Sequence, residues 1–397
     1  MRFIHTADWH LGKLFGQRYM TADQAFVLDE LVQAVRDFRA DAVVIAGDIY
    51  DRSVPPAEAV ELFSAVLGKL RAAGAEVLFI AGNHDSSRRL AFGAEVFGMA
   101  GVHVRGRLTR DLAPVIVESA VGPVAFSLIP YLDPLEVREV FGIKKNLSFD
   151  EAAALVVEAA QAAIPKGMPS VAVAHAFFAG GVKTDSVRTL SVGGSDQVSP
   201  AHFKGFSYVA LGHLHGPQRA GAEHIRYAGS PLCYSFDEVK QEKGFELVTV
   251  DAAGMVTHAF HALTPRHAVR IVEGYLDDLR AGSDPLPKDD YVLVRLLDED
   301  RPLSVREKLS EQYANLFGIE FPNFKARAIQ SEARAAREGA SDLEKFGDFY
   351  QEATGEAMTE EQQKLLTECI DEMDRENREE HDAYESRAEK QEGGARA

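Results

Sequence analysis

The chain has 397 residues, with 43 basic and 61 acidic side chains and a formal net charge of −18. This length predicts two or three domains, and the acidic balance argues against a protein that coats nucleic acid by charge alone. The acidity is concentrated at one end, because residues 331–397 hold 20 acidic and 9 basic side chains.

The cysteine pattern and the hydropathy pattern both bear on location. Cys233 and Cys369 are far apart and form no metal-binding or redox spacing, as expected in a reducing compartment. The first residues enter a strand without an apolar signal segment, and the sequence contains no run of about 18 apolar residues. The sequence therefore predicts a cytoplasmic protein without a membrane span.

Short apolar strands alternate with amphipathic helices in the first 100 residues. A helix is predicted over residues 22–39, with Thr21 and Gln24 as its capping box. A second helix begins after Pro55 and Pro56. The strands "DAVVIAGD" and "EVLFIAGNHD" follow the two helices, and this alternation indicates parallel strands joined by helical crossovers.

From residue 100 to about residue 265 the pattern is rich in strands, with one helix near 150–163. It predicts an α+β fold with two packed mixed sheets flanked by helices. A small α+β domain is predicted over 266–332, with a helix at 303–316 and a strand at 324–330.

Beyond this small domain the chain is charged and favours helices. Two helical stretches are predicted within 333–385, and the second starts with a capping box of Thr359 and Gln362. The low-complexity end, 386–397, is expected to be disordered. We expect the apolar faces of the two helices to bind a partner, with packing inside the chain as the alternative; the candidate contacts are Leu343, Phe346, Phe349, Leu366 and Ile370.

Aspartate, asparagine and histidine residues, whose side chains can bind a metal ion, occur where predicted apolar strands end. A lone Gly-Asp or histidine at such a place is often an ordinary turn or core residue, but five segments in order favour one shared pocket at the carboxyl edge of a sheet. His213 and His215 are two positions apart, so on a strand they would face one point. The candidates are Asp8, His10, Asp48, Asn83, His84, His175, His213 and His215.

Imidazole, carboxylate and amide ligands suit a two-metal phosphodiester hydrolase, which holds its cations about 3.5–4 Å apart with a bridging carboxylate. We interpret Asp48 as that bridge. Without a thiolate the set fits manganese, iron or zinc, and manganese is favoured. The other ligands divide into one site of Asp8, His10 and His215 and a second of Asn83, His175 and His213.

His84 has a different predicted role because neighbouring side chains on an extended chain point in different directions. If Asn83 binds a metal, His84 is better placed to protonate the leaving oxygen or to stabilise the phosphate in the transition state. The alternative is a histidine that only braces its loop. Asp85 is expected to form local hydrogen bonds that shape this loop.

These residues together resemble the calcineurin-like metallophosphoesterase superfamily. Within it, "HTADWHLGK", "AGDIYDRSVPP", "AGNHDS", "ALGHLHGPQ" and "YAGSPLCYSFDE" are similar to motifs of the SbcD family, the nuclease subunits of bacterial SbcCD exonucleases. The resemblance covers residues 1 to about 260 and continues more loosely beyond them. It implies a four-layer nuclease domain at 1–265, a DNA-binding capping domain at 266–332 and helices within 333–385 that dock the SbcC ATPase.

The resemblance also implies an activity. It points to a nuclease with two Mn²⁺ ions, for which Mg²⁺, Fe²⁺ or Zn²⁺ are alternatives, that digests duplex ends with SbcC and ATP and cuts single strands and hairpins. The implied setting is double-strand break repair, recombination and replication at the nucleoid. The implied assembly is a homodimer joined to the SMC-like SbcC in a heterotetramer. The sequence has no Gly-x-x-x-x-Gly-Lys-Ser/Thr loop, so no ATP site is expected in this chain.

Basic loop residues are the candidates for DNA contact, although each is equally well an ordinary solvated charge. They are Lys13, Arg18, Lys183 and Arg188. Two other functions stay open. A phosphatase or cyclic-nucleotide phosphodiesterase with a small substrate would hardly need residues 267–397, and a non-catalytic DNA-end scaffold would usually have lost some ligands.

Overall fold

The structure, a computed structural model, describes residues 1–16, 18–182, 184, 197–298, 302–323, 341–354 and 357–370. The chain forms two compact units, Met1–Pro322 and Asn323–Ala397. The first unit contains two large sheets and one small sheet, and the second contains helices. The limits of the smaller domains inferred from sequence stay predictions.

The first large sheet is mixed and has six strands. Four parallel strands carry its centre and one edge: β1 (Arg2–Thr6), β4 (Ala42–Ile45), β5 (Glu76–Ile80) and β6 (Val102–Arg105). Antiparallel strands β15 (Gly244–Val250) and β16 (Val256–Ala262) extend it beside β1. A short hairpin, β2 (Leu14–Phe15) and β3 (Arg18–Tyr19), follows β1.

The second large sheet repeats this arrangement. Its parallel strands are β8 (Val124–Ile129), β9 (Ser170–His175), β12 (Tyr208–Gly212) and β14 (Ala222–Tyr227). Antiparallel β7 (Val115–Val117) lies beside β8, and β13 (Gln218–Ala220) lies beside β14. Strands β10 (Phe177–Phe178) and β11 (Gln197–Val198) form a separate short pair.

The two sheets pack face to face through large buried side chains. Phe3 of β1 contacts Phe126 of β8 and Tyr208 of β12, with ring centroids 5.4 and 5.8 Å apart. Apolar residues of α1 (Thr21–Phe38) and α2 (Ala57–Ala72) cover the other face of the first sheet. The second sheet is covered by α6 (Phe149–Ala162) and the shorter α5 (Pro134–Phe141). The predicted fold class, two mixed sheets flanked by helices, is confirmed.

Two short helices follow β5, namely α3 (Ser87–Leu90) and α4 (Ala94–Met99). No residue of α4 is buried, although the helix carries Val96, Phe97 and Met99. Two single-turn 3₁₀ helices, Pro200–Phe203 and Phe236–Glu238, lie in the loops of the first unit.

The small sheet consists of parallel strands β17 (Val269–Gly274), β18 (Tyr291–Leu296) and β19 (Asn315–Glu320), joined through α7 (Leu276–Arg280) and α8 (Val305–Ser310). The predicted helix at 303–316 is therefore wrong in its second half. Pairing with β18 satisfies the backbone of residues 315–320, and such a distant partner is invisible to a local helical pattern. The predicted strand at 324–330 lies outside the described residues.

The predicted capping box of α1 is also wrong. Its N-cap is Met20, and no side chain caps the helix. Gln24 is buried, and its side-chain amide donates to the carbonyl oxygens of Trp9 and His10 at 3.0 and 2.8 Å. Gln24, which the sequence placed in a capping box, therefore supports the loop that follows β1.

The second unit contains α9 (Asp342–Thr354) and a helix over 360–370. The capping box of Thr359 and Gln362 is confirmed by two reciprocal hydrogen bonds of 2.9 and 3.3 Å. Gln362 also donates to the Tyr350 hydroxyl at 3.1 Å and so joins the two helices. No helix among the described residues is long and apolar enough to cross a membrane.

The candidate partner contacts on these helices differ in exposure. Phe346 is 44% exposed, whereas Leu343, Leu366 and Ile370 are partly buried. The side chain of Phe349 lies outside the described residues. Their role in partner binding stays a prediction.

Candidate metal centre

The structure brings all the predicted ligand positions to one place between the two large sheets. Asp8 and His10 follow β1, Asp48 follows β4, and Asn83 follows β5, and these are neighbouring parallel strands. From the second sheet, β9 ends at His175, and His213 and His215 follow its neighbour β12. The carboxyl edges of both sheets thus meet, as expected for ligand sites of parallel sheets.

The first group of ligand atoms centres on His10. Its Nε2 lies 3.1 Å from Nε2 of His215 and 3.7 Å from Oδ2 of Asp48. Asp8, His10 and His215 each offer a ligand atom within 4.8 Å of the others, and all three side chains are buried. Two imidazoles and carboxylates in a buried cluster are suitable for a divalent cation.

The second group centres on the amide oxygen of Asn83. That oxygen lies 3.0 Å from both Nε2 of His175 and Nδ1 of His213. The Asn83 amide nitrogen is buried and has no hydrogen-bond partner among the described residues, so the oxygen carries the polar contacts of this side chain. Three ligand-type atoms from three strand ends therefore surround one point.

Asp48 lies between the two groups. Its Oδ2 is 3.3 Å from Nε2 of His175 and 3.7 Å from Nε2 of His10. Its Oδ1 accepts a hydrogen bond from the backbone of His84 at 2.9 Å, which fixes the carboxylate. One oxygen atom close to histidines of both groups suits a carboxylate shared by two cations.

Hydrogen bonds at the far side of the rings set the tautomers of two candidate ligands. Nδ1 of His175 donates to the Ala46 carbonyl at 2.8 Å, and Nδ1 of His215 donates to Glu238 at 2.9 Å. Both partners are acceptors, so in a neutral ring the lone pair is on Nε2, the nitrogen that faces the centre. Such outer partners commonly orient metal-binding histidines.

Burial and neighbouring charges shift the pKa values of the ionisable side chains at the centre. Burial raises the pKa of Asp8 to about 6 and lowers the pKa of His10 to about 4. At His175 burial also lowers the pKa, but the charge of Asp48 outweighs it and raises the pKa to about 9. The same pairing, against burial, holds the pKa of Asp48 well below its usual range. The negative charge of Asp48 thus favours a positive charge at this position, as a divalent cation would supply.

The backbone at the centre is strained. Asp8, His10, Asp48 and His213 have φ values of 54°, 44°, 50° and 106°, in the region that non-glycine residues seldom adopt. The expectation that His213 and His215 face one point from a strand is wrong, because β12 ends at Gly212 and the chain turns there. His213 joins the Asn83 group and His215 joins the His10 group.

Close packing at the strand ends leaves no space for side chains at two glycines. A Cβ atom at Gly82 would lie 2.1 Å from Oδ1 of Asp48, and one at Gly212 would lie 2.0 Å from the Ala46 carbonyl oxygen. Glycine at 82 lets the loops after β4 and β5 of the first sheet lie against each other, and glycine at 212 lets the second sheet approach the first closely enough for their ligands to meet.

The loop after β5 is braced as the sequence predicts. Asp85 accepts hydrogen bonds from the backbone of Gly82 at 2.9 Å, of Ile49 at 3.1 Å and of Tyr50 at 2.9 Å. Burial and the charge of Asp48 raise the pKa of Asp85 to about 7. The contacts reach across to the Asp48 loop, so Asp85 ties two ligand loops together.

His84 and Asn83 point to different groups. The ring of His84 packs edge-on against His10, with centroids 4.8 Å apart, and its Nδ1 lies 2.8 Å from the Asp51 carbonyl oxygen. One nitrogen of His84 is also within 4.8 Å of ligand atoms of His10 and Asp48. The position suits either a proton donor or an additional ligand.

Four further residues contact the candidate centre: Gln24, Asp51, Tyr234 and Glu238. Sequence reasoning made Gln24 part of a helix cap and assigned no role to the other three. Tyr234 packs against the rings of His10 and His215, and its hydroxyl donates to the Trp9 carbonyl. The available signals were two motifs: "AGDIYDRSVPP" includes Asp51, and "YAGSPLCYSFDE" includes Tyr234 and Glu238 but has no metal-ligand spacing.

Two of the candidate DNA contacts lie in the described residues. The Lys13 ammonium donates to Asp51 at 2.8 Å, so its charge is paired. Arg18 is exposed and donates to the Ala314 carbonyl at 3.3 Å. Lys183 and Arg188 lie outside the described residues, and all four contacts stay predictions.

Two family models match this chain. A family model described as calcineurin-like phosphoesterase matches residues 1–217, and one described as type 5 capsule protein repressor C-terminal domain matches residues 265–354. The chain is 30% identical over 368 residues to the SbcD subunit of the nuclease SbcCD from Staphylococcus saprophyticus, covering 92% of this chain and 96% of that relative. The resemblance inferred from the motifs is confirmed.

Two solved structures are more distant. TT1561 of Thermus thermophilus is 13% identical with a TM-score of 0.36, covering 65% of this chain and 98% of its own. A dimetal phosphatase from Danio rerio is also 13% identical, with a TM-score of 0.37, covering 66% of this chain and 96% of its own. Likeness at these TM-scores does not bear on function.

If Asp48 bridges two cations, replacing it should weaken both sites. Metal analysis after reconstitution with manganese should find two ions per wild-type chain and fewer in Asp48→Ala, with activity lost. The control Asp37→Ala changes an exposed carboxylate of α1 and should keep both ions. A saturated wild-type value near one, together with an active Asp48→Ala variant, would contradict the two-metal assignment.

Proposed function

We propose that this chain, which belongs to the calcineurin-like phosphoesterase family and within it to the SbcD nuclease subunits, is a DNA nuclease that hydrolyses phosphodiester bonds at a two-metal centre. The observation that carries the proposal is Oδ2 of Asp48, which lies within 3.7 Å of histidine nitrogens from both ligand groups. A single catalytic cation would not need a carboxylate between two such groups.

We propose manganese as the metal, held by Asp8, His10 and His215 in one site and by Asn83, His175 and His213 in the other, with Asp48 shared. Bound divalent cations supply charge stabilisation to a phosphodiester and make water a better nucleophile near neutral pH. The protein holds the ligand side chains in place beforehand, through the hydrogen bonds from His175 to Ala46 and from the His84 backbone to Asp48.

His84 is proposed to act on the phosphate. The Asp51 carbonyl oxygen can only accept, so the Nδ1 atom beside it carries a proton. A second proton on Nε2 makes the ring an imidazolium, which can stabilise negative charge on the phosphate and donate to the leaving oxygen. The packing of His84 against His10 keeps this ring at the edge of the first ligand group.

The proposed substrate is DNA, cut at duplex ends with SbcC and ATP and cut internally in single strands and hairpins, in repair, recombination and replication. The family match over residues 265–354 supports this substrate over a small phosphate ester, because a small substrate needs no second domain of this kind. Arg18 lies in the hairpin after β1 and is the exposed candidate contact among the described residues.

The proposed partner is the SMC-like ATPase SbcC, bound by the helices of the second unit. Helix α9 presents Phe346 with 44% of its surface exposed, and Leu365 on the following helix is 63% exposed. Amphipathic helices with exposed apolar side chains are suited to docking on another helix. SbcC would also supply the ATP site.

We further propose a homodimer formed by α2 and the segment over 87–99. This apolar patch is defined by Val60, Phe92, Val96 and Met99, of which Phe92 and Met99 are 81% and 89% exposed. Large side chains at such exposure favour a protein partner, and Val96 and Met99 lie on α4, which buries none of its residues. A second copy of this chain fits the family assembly and would place two centres in one complex.

The substrate class can be tested with purified full-length chain and manganese. We expect cleavage of single-stranded DNA without SbcC, and digestion of linear duplex DNA only with SbcC and ATP. Hydrolysis restricted to bis-p-nitrophenyl phosphate and nucleotides would favour the phosphatase or phosphodiesterase alternative. DNA binding without any hydrolysis would favour a scaffold.

His84→Ala should keep two manganese ions and lose DNA cleavage by roughly 10²–10⁴-fold, because the proposed role is in the transition state. Metal content and cleavage rate are measured on the same preparation. His202→Ala, which changes a histidine of the Pro200–Phe203 helix, is the control and should leave both unchanged. Loss of metal together with activity would mean that His84 is a ligand or a loop brace.

A chain ending at residue 337 should keep metal-dependent cleavage of single-stranded DNA and lose both co-purification with SbcC and ATP-dependent digestion of duplex ends. The matched control, lacking only 386–397, should keep all of these. Unchanged affinity of the shorter chain for SbcC, or loss of its metal centre, would contradict the docking assignment.

Met99→Glu should convert the wild-type dimer to a monomer, measured by analytical ultracentrifugation, because it places a charge in the apolar patch. Leu135→Glu changes a 62% exposed leucine of α5, on the helix layer of the other sheet, and should leave the dimer intact. A monomeric wild type, or a Met99→Glu dimer of unchanged affinity, would contradict this interface.

A further inference from the structure

Glu238 is a fully buried carboxylate that contacts a candidate metal ligand without belonging to either ligand group. It ends the single-turn helix Phe236–Glu238 and has no exposed surface. Its Oε1 lies 2.9 Å from Nδ1 of His215, on the side of the ring opposite to the metal centre. A buried acid is costly unless its charge is matched, so its surroundings should explain its presence.

Among the described residues, four donors converge on this carboxylate. Oε1 accepts from His215 and from the Thr184 hydroxyl at 3.2 Å. Oε2 accepts from the Tyr234 backbone at 3.0 Å and from the Lys243 ammonium at 2.7 Å. A carboxylate has about four acceptor positions, so Glu238 is ionised and acts only as an acceptor here. Lys243, itself buried, supplies the compensating charge.

The segment around Glu238 also contacts His10, the other histidine of the first ligand group. Tyr234 packs against the rings of His10 and His215, with centroids 5.5 and 5.8 Å apart. Lys243 donates to the His215 carbonyl at 2.9 Å, so the same ion pair holds both the backbone and the ring of that residue. The ion pair is therefore anchored to the first ligand group, through one of its two histidines.

We infer that Glu238, charge-balanced by Lys243, is a positioning residue for one of the two metal sites, because it fixes His215 with a proton on Nδ1 and a lone pair on Nε2. The inference rests on the proposed two-metal function and deepens it. It assigns Glu238 to the site of Asp8, His10 and His215, and it leaves the other site independent of Glu238.

An amide cannot replace this carboxylate in either orientation. With its oxygen toward His215, the amide nitrogen of Glu238→Gln would face two donors, Tyr234 and Lys243. With its nitrogen toward His215, the amide would donate, so Nδ1 of His215 would have to accept. The ring proton would then move to Nε2, and the lone pair that binds the metal would be lost. The variant is nearly the same size, so it tests charge and hydrogen bonding rather than packing.

Manganese titration of the full-length chain, followed by the electron paramagnetic resonance signal of free Mn²⁺, tests the inference. We expect Glu238→Gln to weaken one binding constant by about 10–100-fold, the usual effect of losing an outer-shell partner, and to leave the other within twofold. Glu246→Gln is the matched control, since Glu246 is also fully buried and accepts from Arg226 and His258 instead. It should leave both constants unchanged.

A second readout does not depend on metal. Long-range ¹H–¹⁵N spectra of the metal-free, histidine-labelled chain should show His215 protonated on Nδ1 in wild type and on Nε2, or on a mixture, in Glu238→Gln. The His215 signal is assigned by its absence in His215→Gln. If Glu238 had a purely structural role, Glu238→Gln would lower the free energy of unfolding and leave the His215 tautomer unchanged.

The inference is overturned if both manganese constants of Glu238→Gln stay within twofold of wild type, if both fall equally, or if the His215 tautomer does not change. If Glu238→Gln does not fold by circular dichroism, Glu238→Gln/Lys243→Met, which removes the donor opposite the amide, takes its place with the same criteria. A wild type that binds fewer than two ions contradicts the proposed function instead, and the tautomer measurement still decides the role of Glu238.

Discussion

The Asp48 carboxylate is the feature on which the rest of this structure depends. It follows a strand of the first sheet and lies 3.3 Å from His175, which ends a strand of the second sheet. Two buried sheets can bring such groups together only if their carboxyl ends meet, and the inter-sheet contacts of Phe3 with Phe126 and Tyr208 keep those ends in register. The metal centre and the hydrophobic core are therefore products of one packing arrangement.

The centre concentrates unfavourable features that the surrounding fold has to offset. Left-handed backbone at four ligand residues costs on the order of 1–3 kcal/mol at each, and two carboxylates are buried beside each other. Backbone donors hold the carboxylates, as His213 holds Asp8 and His84 holds Asp48. Divalent cations would neutralise the remaining negative charge. Against burial, the charge of Asp48 raises the pKa of His175 to about 9.

The two ligand groups are supported by different parts of the chain. The Asn83 group is held mainly by strand ends and by Asp85, whereas His10 and His215 also depend on Gln24 of α1 and on the segment from Tyr234 to Lys243. The same segment includes Phe236, whose ring lies 5.9 Å from that of Phe317 in the small sheet.

The sequence by itself determined the alternation of strands and helices, the fold class and the positions of the candidate ligands, because these follow from local apolar periodicity and from polar residues placed where strands end. It did not determine what Gln24 and Glu238 do, since their partners are 14 and 23 residues away in the chain and share no spacing with them. It also extended a helix over residues 311–316, although the helix ends at Ser310 and a strand begins at Asn315. It placed His213 and His215 on one extended strand, although β12 ends at Gly212. Only the tertiary structure decided these points, because strand pairing and left-handed turns depend on groups that meet after the chain has folded.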